Sequence, residues 1–238
     1  MRKIIKKLWS TVLDLLFPPE VCCLCCGHAL GDVQEDGLCP ACTMALSELE
    51  VQQQAYVPRE ALPPGIIGAW AAYPYTAHAR TLILRLKSEH VRAASVPLGK
   101  AMALLPGGEA DLLVPVPTTR RRLRERGFNQ AALLCRVIAK ETGMPMREAL
   151  SRRDDSVSQT FLSGQLRRTN LQGVMEADAC VCGQRILLVD DVYTTGSTAC
   201  EAARALLAAG AVSVAVFTAA RALDVEEKRA AAKLPFDQ

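Results

Sequence analysis

Aromatic residues make up only 5% of this 238-residue sequence, and neither sign of charge dominates: 28 Lys and Arg stand against 25 Asp and Glu, a net charge of +3. That balance excludes a chain that binds nucleic acid over its whole surface by charge alone. Long hydrophobic runs are missing as well. No stretch of roughly 18 residues is apolar and uncharged, which excludes a helical membrane span. A secretory signal is also lacking. Met1 to Leu8 is basic and Leu8 to Phe17 fairly apolar, but Asp14 interrupts the run. Pro18 and Pro19 then follow where a small-residue cleavage site would stand. Leu8, Val12, Leu15 and Leu16 recur at helical spacing, predicting a short amphipathic helix stopped by the prolines. Docking of that helix on the chain's own core is favoured over a membrane surface. There is no internal repeat. What remains is half apolar and 22% charged, the composition of a folded α/β protein rather than a disordered or fibrous one. The chain is long enough to bury its main core without staples.

The pattern divides the chain into residues 1–46, which hold the helix and most cysteines, a polar Pro-containing linker over 47–65, a main domain over 66–221, and a charged, Ala-rich tail over 222–238. In the main domain, strands are predicted over Ile66–Tyr75, Asp111–Val116, Arg185–Val189 and Val212–Thr218. Helices are predicted over Thr76–Lys87, Ala131–Ala139 and Ser197–Ala209, the last closed by Gly210. Strands alternating with helices imply a parallel sheet covered on both faces.

Six of the ten cysteines (Cys22, Cys23, Cys25, Cys26, Cys39, Cys42) lie within 21 residues. With no secretory signal a reducing, cytoplasmic location is expected, so a disulfide framework is the weaker reading. Cys23-x-x-Cys26-Gly27 followed by Cys39-x-x-Cys42 has the spacing of two metal-binding knuckles, and four thiolates close a tetrahedral structural Zn²⁺ site. Cys22-x-x-Cys25 overlaps the first pair; Gly27, which permits the turn after the second ligand, favours Cys23 and Cys26. Cys135, Cys180, Cys182 and Cys200 show no ligand spacing and read as buried small hydrophobes. His28, His78 and His90 carry no motif.

The strongest chemistry is Ile186 to Thr198, an apolar strand ending in two carboxylates and then a Thr/Gly/Ser turn opening a helix. Ligands of open α/β sheets bind at the carboxyl ends of strands. Thr194, Thr195, Ser197 and Thr198 supply hydroxyls, Gly196 allows close backbone approach, and the helix N-terminus favours a phosphate. Asp190 and Asp191 disfavour an anion; they suit sugar hydroxyls and, directly or through water, Mg²⁺. The pair of features fits a phosphorylated ribose. The Walker-type P-loop, GxxxxGK[ST], is absent.

Val189 to Thr198 resembles the phosphoribosyl-pyrophosphate motif of type I phosphoribosyltransferases. More closely, the chain is similar to the ComF family of competence-associated proteins. The similarity runs from Leu15-Leu16-Phe17-Pro18-Pro19 through the Cys pairs, Leu86-Lys87, Val114-Pro115-Val116-Pro117 and Arg126-Gly127-Phe128-Asn129-Gln130. It continues through Gln159, Leu162, Arg167 and Asn170 to Ala209-Gly210-Ala211. It implies a type I phosphoribosyltransferase fold, a parallel sheet with helices and a hood loop, behind a small double zinc-ribbon-like module. It further implies that the loop Pro117-Thr118-Thr119, continuing from Arg120 to Arg126, meets the pyrophosphate, with Lys87 nearby. Five Arg and one Glu in those last seven residues make an anion site by charge. Arg152 to Asn170 corresponds to the hood loop, which excludes water from the reacting centre; Ser156 replaces the family's usual Thr. The family pattern Leu-Lys-Tyr-x-Gly appears as Leu86-Lys87-Ser88-Glu89-His90, without its Tyr and Gly.

The functional expectation is a protein that binds phosphoribosyl pyrophosphate with Mg²⁺ and transfers the phosphoribosyl group. Asp190 and Asp191 are its catalytic carboxylates. Thr194, Thr195, Gly196, Ser197, Thr198, Thr118, Thr119, Arg120, Lys87 and Arg126 bind substrate. Cys23, Cys26, Cys39 and Cys42 hold Zn²⁺. No residue has the character of a general base, which fits an acceptor that is itself the nucleophile. The alternative is a factor that binds single-stranded DNA or DNA-uptake proteins through the zinc module and the Arg-rich segment, since some family members serve DNA uptake.

Overall fold

Val, Leu and Ile occupy every position from Ile186 to Val189, a run suited to a strand buried on both faces. In the computed structural model, which describes residues 22–30, 36–52, 55–57, 59, 62–106, 109–152 and 175–222, this run lies within strand β6 (Arg185–Tyr193). The sheet has five strands in the order β1-β2-β7-β6-β3. β1 (Ala55–Tyr56) is an antiparallel edge, and β2 (Ile66–Pro74), β7 (Ser213–Arg221), β6 and β3 (Leu112–Pro115) run parallel. Beyond β3, the backbone at Pro145 and Arg147 hydrogen-bonds to Leu113 and extends the edge. A phosphoribosyltransferase-type α/β fold, a parallel sheet flanked by helices, is what the sequence implied.

Strand alternation sorts the core into two clusters. Leu113, Leu187, Val189, Ala215 and Phe217 face α2 (Ala77–Lys87), α3 (Ser95–Ala103) and α5 (Gln130–Thr142). Leu112, Val114, Ile186, Leu188, Val214 and Val216 face α6 (Ser197–Ala208). In α5, Ala131, Leu134, Cys135 and Ile138 recur at helical spacing and are buried. Asn129 caps that helix, accepting a hydrogen bond from the Ala131 N–H at 3.1 Å, an interaction worth about 1 kcal/mol. The cysteine-bearing segment packs on the first cluster through Cys23, Leu24, Leu38, Cys42 and Leu46.

Four expectations are corrected. The 47–65 linker is partly regular: α1 (Pro40–Gln52) runs into it and β1 follows. Arg120–Arg126 is a helix, α4, not a loop, because Thr119 accepts a hydrogen bond from the Arg122 N–H and caps it. The strand expected to stop at Val189 continues to Tyr193, because β7 pairs with it through Asp190↔Thr218 and Tyr193↔Arg221. Cys180 and Cys182 are exposed rather than buried; of the four scattered cysteines, Cys135 alone is fully buried. A second, two-stranded sheet joins β4 (Leu150–Arg152) and β5 (Met175–Ala177). The amphipathic N-terminal helix, the tail, Ser156, Gln159, Leu162, Arg167 and Asn170 lie outside the described residues. Among the described residues no helix is long and apolar enough to cross a membrane.

Candidate functional site

β3 pairs with β6 as far as Pro115↔Val189, whereas β6 runs on to Tyr193 against β7. At Asp190, therefore, β6 keeps one neighbour and loses the other, and a crevice opens at the carboxyl ends of the strands. A cavity of about 470 Å³ occupies it. Because strand side chains alternate, the two adjacent carboxylates leave the sheet on opposite faces. Asp190 follows Ile186 and Leu188 toward the α6 face; Asp191 follows Leu187 and Val189 toward the α2 face, and both line the cavity. Asp191 is 4% exposed. Its Oδ1 lies 2.7 Å from the Lys87 Nζ at the end of α2, and its Oδ2 is buried with no hydrogen-bond partner among the described residues. Lys87, expected to bind substrate, lines the cavity and faces a buried carboxylate. Asp190 accepts a hydrogen bond from the Asp191 N–H at 2.8 Å. Burial, reinforced by the neighbouring Asp191 charge, pushes the Asp190 carboxyl up to about 7.

Gly196, at φ +74°, caps α6, so the helix opens at Ser197 with no side-chain cap on its first N–H groups among the described residues. A Cβ there would stand 2.5 Å from the Tyr193 hydroxyl and 2.9 Å from Pro63 Cγ. Thr194, Thr195, Ser197 and Thr198 are exposed around it. The Thr195 and Ser197 hydroxyls share a 2.8 Å hydrogen bond, and Thr194 and Thr198 line the cavity beside Asp190. Thr118, in the loop after β3, lines the opposite wall and has a buried hydroxyl with no hydrogen-bond partner among the described residues. The Thr119 hydroxyl is spent on its cap. Helical spacing sends Arg122 and Arg126, one turn apart, into the cavity. Arg120 is exposed and is not among the lining residues. Arg126 also donates to Gln130 Oε1 at 3.0 Å. Arg122, Gln130, Arg152 and Tyr75 are lining residues that the sequence reading did not select individually; the arginine run and the Arg126–Gln130 motif carried the signal for two of them. The lining therefore brings four cations, Lys87, Arg122, Arg126 and Arg152, to two carboxylates.

The turn after Lys87 has a left-handed residue at the position of the lost family glycine. His90 stands at the glycine position and adopts φ +62°. Its ring meets Phe128 edge-on at 6.5 Å, and the Arg92 guanidinium lies over the same ring at 5.1 Å.

On the other side of α2, the sulfurs of Cys23, Cys26, Cys39 and Cys42 all lie within 4.8 Å of one another. The Cys25 and Cys39 N–H groups donate to the Cys23 sulfur at 3.4 and 3.3 Å, the knuckle arrangement that Gly27, at φ +78°, permits. Burial raises the Cys23 thiol, but donors from Cys26, Cys39 and Cys25 outweigh it and bring it down to about 6. Burial pushes Cys42 well up. This donor set and spacing could hold one tetrahedral metal ion. Cys22 is exposed and outside the group.

The phosphoribosyl transferase domain family matches residues 128–235. DNA utilization protein YhgH of Escherichia coli O157:H7 is 40% identical over 114 residues, covering 48% of this chain and 50% of that protein. The chain thus spans about half the length of such relatives. Competence protein ComFC of Bacillus subtilis is 28% identical over 218 residues, 88% of each chain. The glutamine phosphoribosylpyrophosphate amidotransferase structure from B. subtilis shares 25% identity over 55% of this chain and 26% of that one, with a TM-score of 0.41. With the phosphoribosyl transferase domain matched over residues 128–235 and the similarity to the Bacillus competence protein covering 88% of each chain, the chain is similar to the ComF family of phosphoribosyltransferase-like proteins.

Proposed function

We propose that the protein binds phosphoribosyl pyrophosphate with Mg²⁺ in the crevice above β6 and transfers its phosphoribosyl group. The observation that carries this reading is the meeting of two carboxylates, four cations and a helix N-terminus around one cavity. The turn Thr194, Thr195, Gly196, Ser197 and Thr198 receives the 5′-phosphate on free N–H groups and hydroxyls. Asp190 and the unpartnered Asp191 Oδ2 accept hydrogen bonds from the ribose hydroxyls. Thr118, Lys87, Arg122 and Arg126 face the diphosphate, and Arg forks match its oxygens; Thr119 contributes by capping the helix that aims those arginines. In the transfer, the bond from the anomeric carbon to the diphosphate oxygen breaks as the acceptor's bond forms. The cations stabilise the departing charge, and the carboxylates offset the positive charge that grows on the sugar. Mg²⁺, held through Asp190 or Asp191 directly or by water, would supply further charge neutralisation on the diphosphate. Cys23, Cys26, Cys39 and Cys42 would hold a structural Zn²⁺, whose binding energy is folding energy for that segment. A cytoplasmic location is part of the same reading.

Calorimetric titration with phosphoribosyl pyrophosphate, with and without Mg²⁺, tests it. Replacing both Asp190 and Asp191 by Asn should weaken binding at least about tenfold, since a hydrogen bond to a charged group contributes about 1.5–3 kcal/mol. Equal affinity in the double variant would remove these carboxylates from the site.

A second reading, single-stranded DNA or a DNA-uptake protein as partner, draws on relatives named for DNA utilisation and competence. It also draws on the exposed Arg120, Arg121 and Arg124 of α4, which the cavity does not use. So short a patch predicts weak, steeply salt-dependent DNA binding. A tight, salt-insensitive complex would contradict that surface.

A further inference from the structure

Cys25, Cys42 and His78 form a second group of ligand atoms, all within 4.8 Å of one another. They come from three different elements. Cys25 lies inside the first knuckle, Cys42 in the first turn of α1, and His78 in the first turn of α2. Cys25 and Cys42 are buried and His78 is half-buried. The Cys25 sulfur also approaches the His78 backbone oxygen at 3.8 Å, which fixes the knuckle against α2. His28, the histidine adjacent to the knuckle in sequence, is exposed and belongs to neither group.

Two thiolates and an imidazole suit Zn²⁺, Cd²⁺ or Co²⁺. Three protein ligands leave one corner of the tetrahedron for solvent, unlike the closed four-cysteine set. Cys42 belongs to both groups, and a thiolate has lone pairs enough to bridge two ions. Charge favours the arrangement. Four thiolates around one divalent ion carry net −2; adding a second ion and the Cys25 thiolate brings the total to −1. The cation nearby is Arg85, whose guanidinium comes within 3.9 Å of the position a Cβ would take on Gly27. It lies beside the cluster, and its positive charge favours the Cys25 thiolate.

We propose that Cys25, Cys42 and His78 bind a second soft divalent cation, joined to the first through the Cys42 thiolate. This rests on the reading of Cys23, Cys26, Cys39 and Cys42 as a metal site. The full chain, prepared under reducing conditions, is saturated with Cd²⁺, desalted, and examined by elemental analysis and cadmium NMR. The expected result is two ions per chain and two resonances, one from an all-sulfur site and one from a mixed sulfur–nitrogen site. His78→Ala and Cys25→Ser should each lower the count to one and remove the mixed resonance only. The surviving all-sulfur resonance reports that the cysteine segment is still folded. Should His78→Ala lose that resonance, His78→Asn, closer in size and polarity, takes its place. One ion per chain in the unaltered protein, in the all-sulfur site, overturns the second site and leaves the first. Two ions that persist in both variants overturn the assignment of these ligands. No bound metal overturns both readings together.

Discussion

Replacing Lys87 by Met removes the ammonium that lies 2.7 Å from Asp191 Oδ1 while keeping most of the side chain's length and apolar contact. Asp191 is 4% exposed and its second oxygen has no partner among the described residues, so the variant leaves a buried carboxylate without that ion pair. At an effective dielectric of about 20, the Coulomb attraction at this distance is roughly 6 kcal/mol before desolvation is subtracted. Removing one member of a fully buried pair costs about 3–5 kcal/mol. The Lys87 side chain is 27% exposed, so water screens part of the loss, and about 2–3 kcal/mol is expected. For a chain of this size that corresponds to a fall in Tm of roughly 4–12 °C. Urea denaturation of wild type, Lys87→Met, Asp191→Asn and the double variant forms a cycle that isolates the pair. The double variant should be more stable than Lys87→Met, because the stranded charge is gone. If Lys87→Met unfolds within about 0.5 kcal/mol of wild type and the cycle shows no coupling, the pair is not a structural element of the site.

Gly196→Val should abolish phosphoribosyl pyrophosphate binding and also lower the melting temperature, because the added Cβ meets the Tyr193 hydroxyl and Pro63 at a backbone angle favouring glycine; a normal melt with wild-type affinity would mean the phosphate is held elsewhere. Cys39→Ser should depress folding yield under reducing conditions far more than Cys180→Ser, since Cys39 belongs to the four-sulfur group and Cys180 is exposed; equal yields would count against a structural metal. Asp111 is held by Arg185, whose side chain and backbone N–H hydrogen-bond to it and bring its carboxyl down to about 2. A folded-state value below the unfolded one gives stability that is complete above the ordinary carboxylate range and is lost as pH falls toward 2. Acid titrations of unfolding should therefore show a shallower loss between pH 4 and 2 for Asp111→Asn than for wild type, an assay that parallel curves would contradict.

Much of this protein was legible in order along the chain. The apolar run before Asp190, the Thr/Gly/Ser turn, the helical spacing of α5 with its Asn129 cap, and the two Cys-x-x-Cys pairs are local patterns. Local patterns fix backbone period, capping and ligand spacing without reference to distant residues. The sequence by itself therefore determined the α/β class, the turn that suits a phosphate, and the cysteines able to share an ion. The tertiary structure decided what depends on neighbours in space. β7 outlasts β3 beside β6, and that unequal pairing carries the strand through Asp190 and Asp191 and sends their side chains to opposite faces. The cap at Thr119 turns a run of arginines into a helix, so Arg122 and Arg126 enter the cavity while Arg120 remains outside it. Lys87 reaches Asp191, and His78 reaches Cys25 and Cys42, because α2 packs between the sheet and the cysteine segment. Contacts between residues tens to a hundred positions apart leave no periodic trace in a single sequence; packing alone selects them.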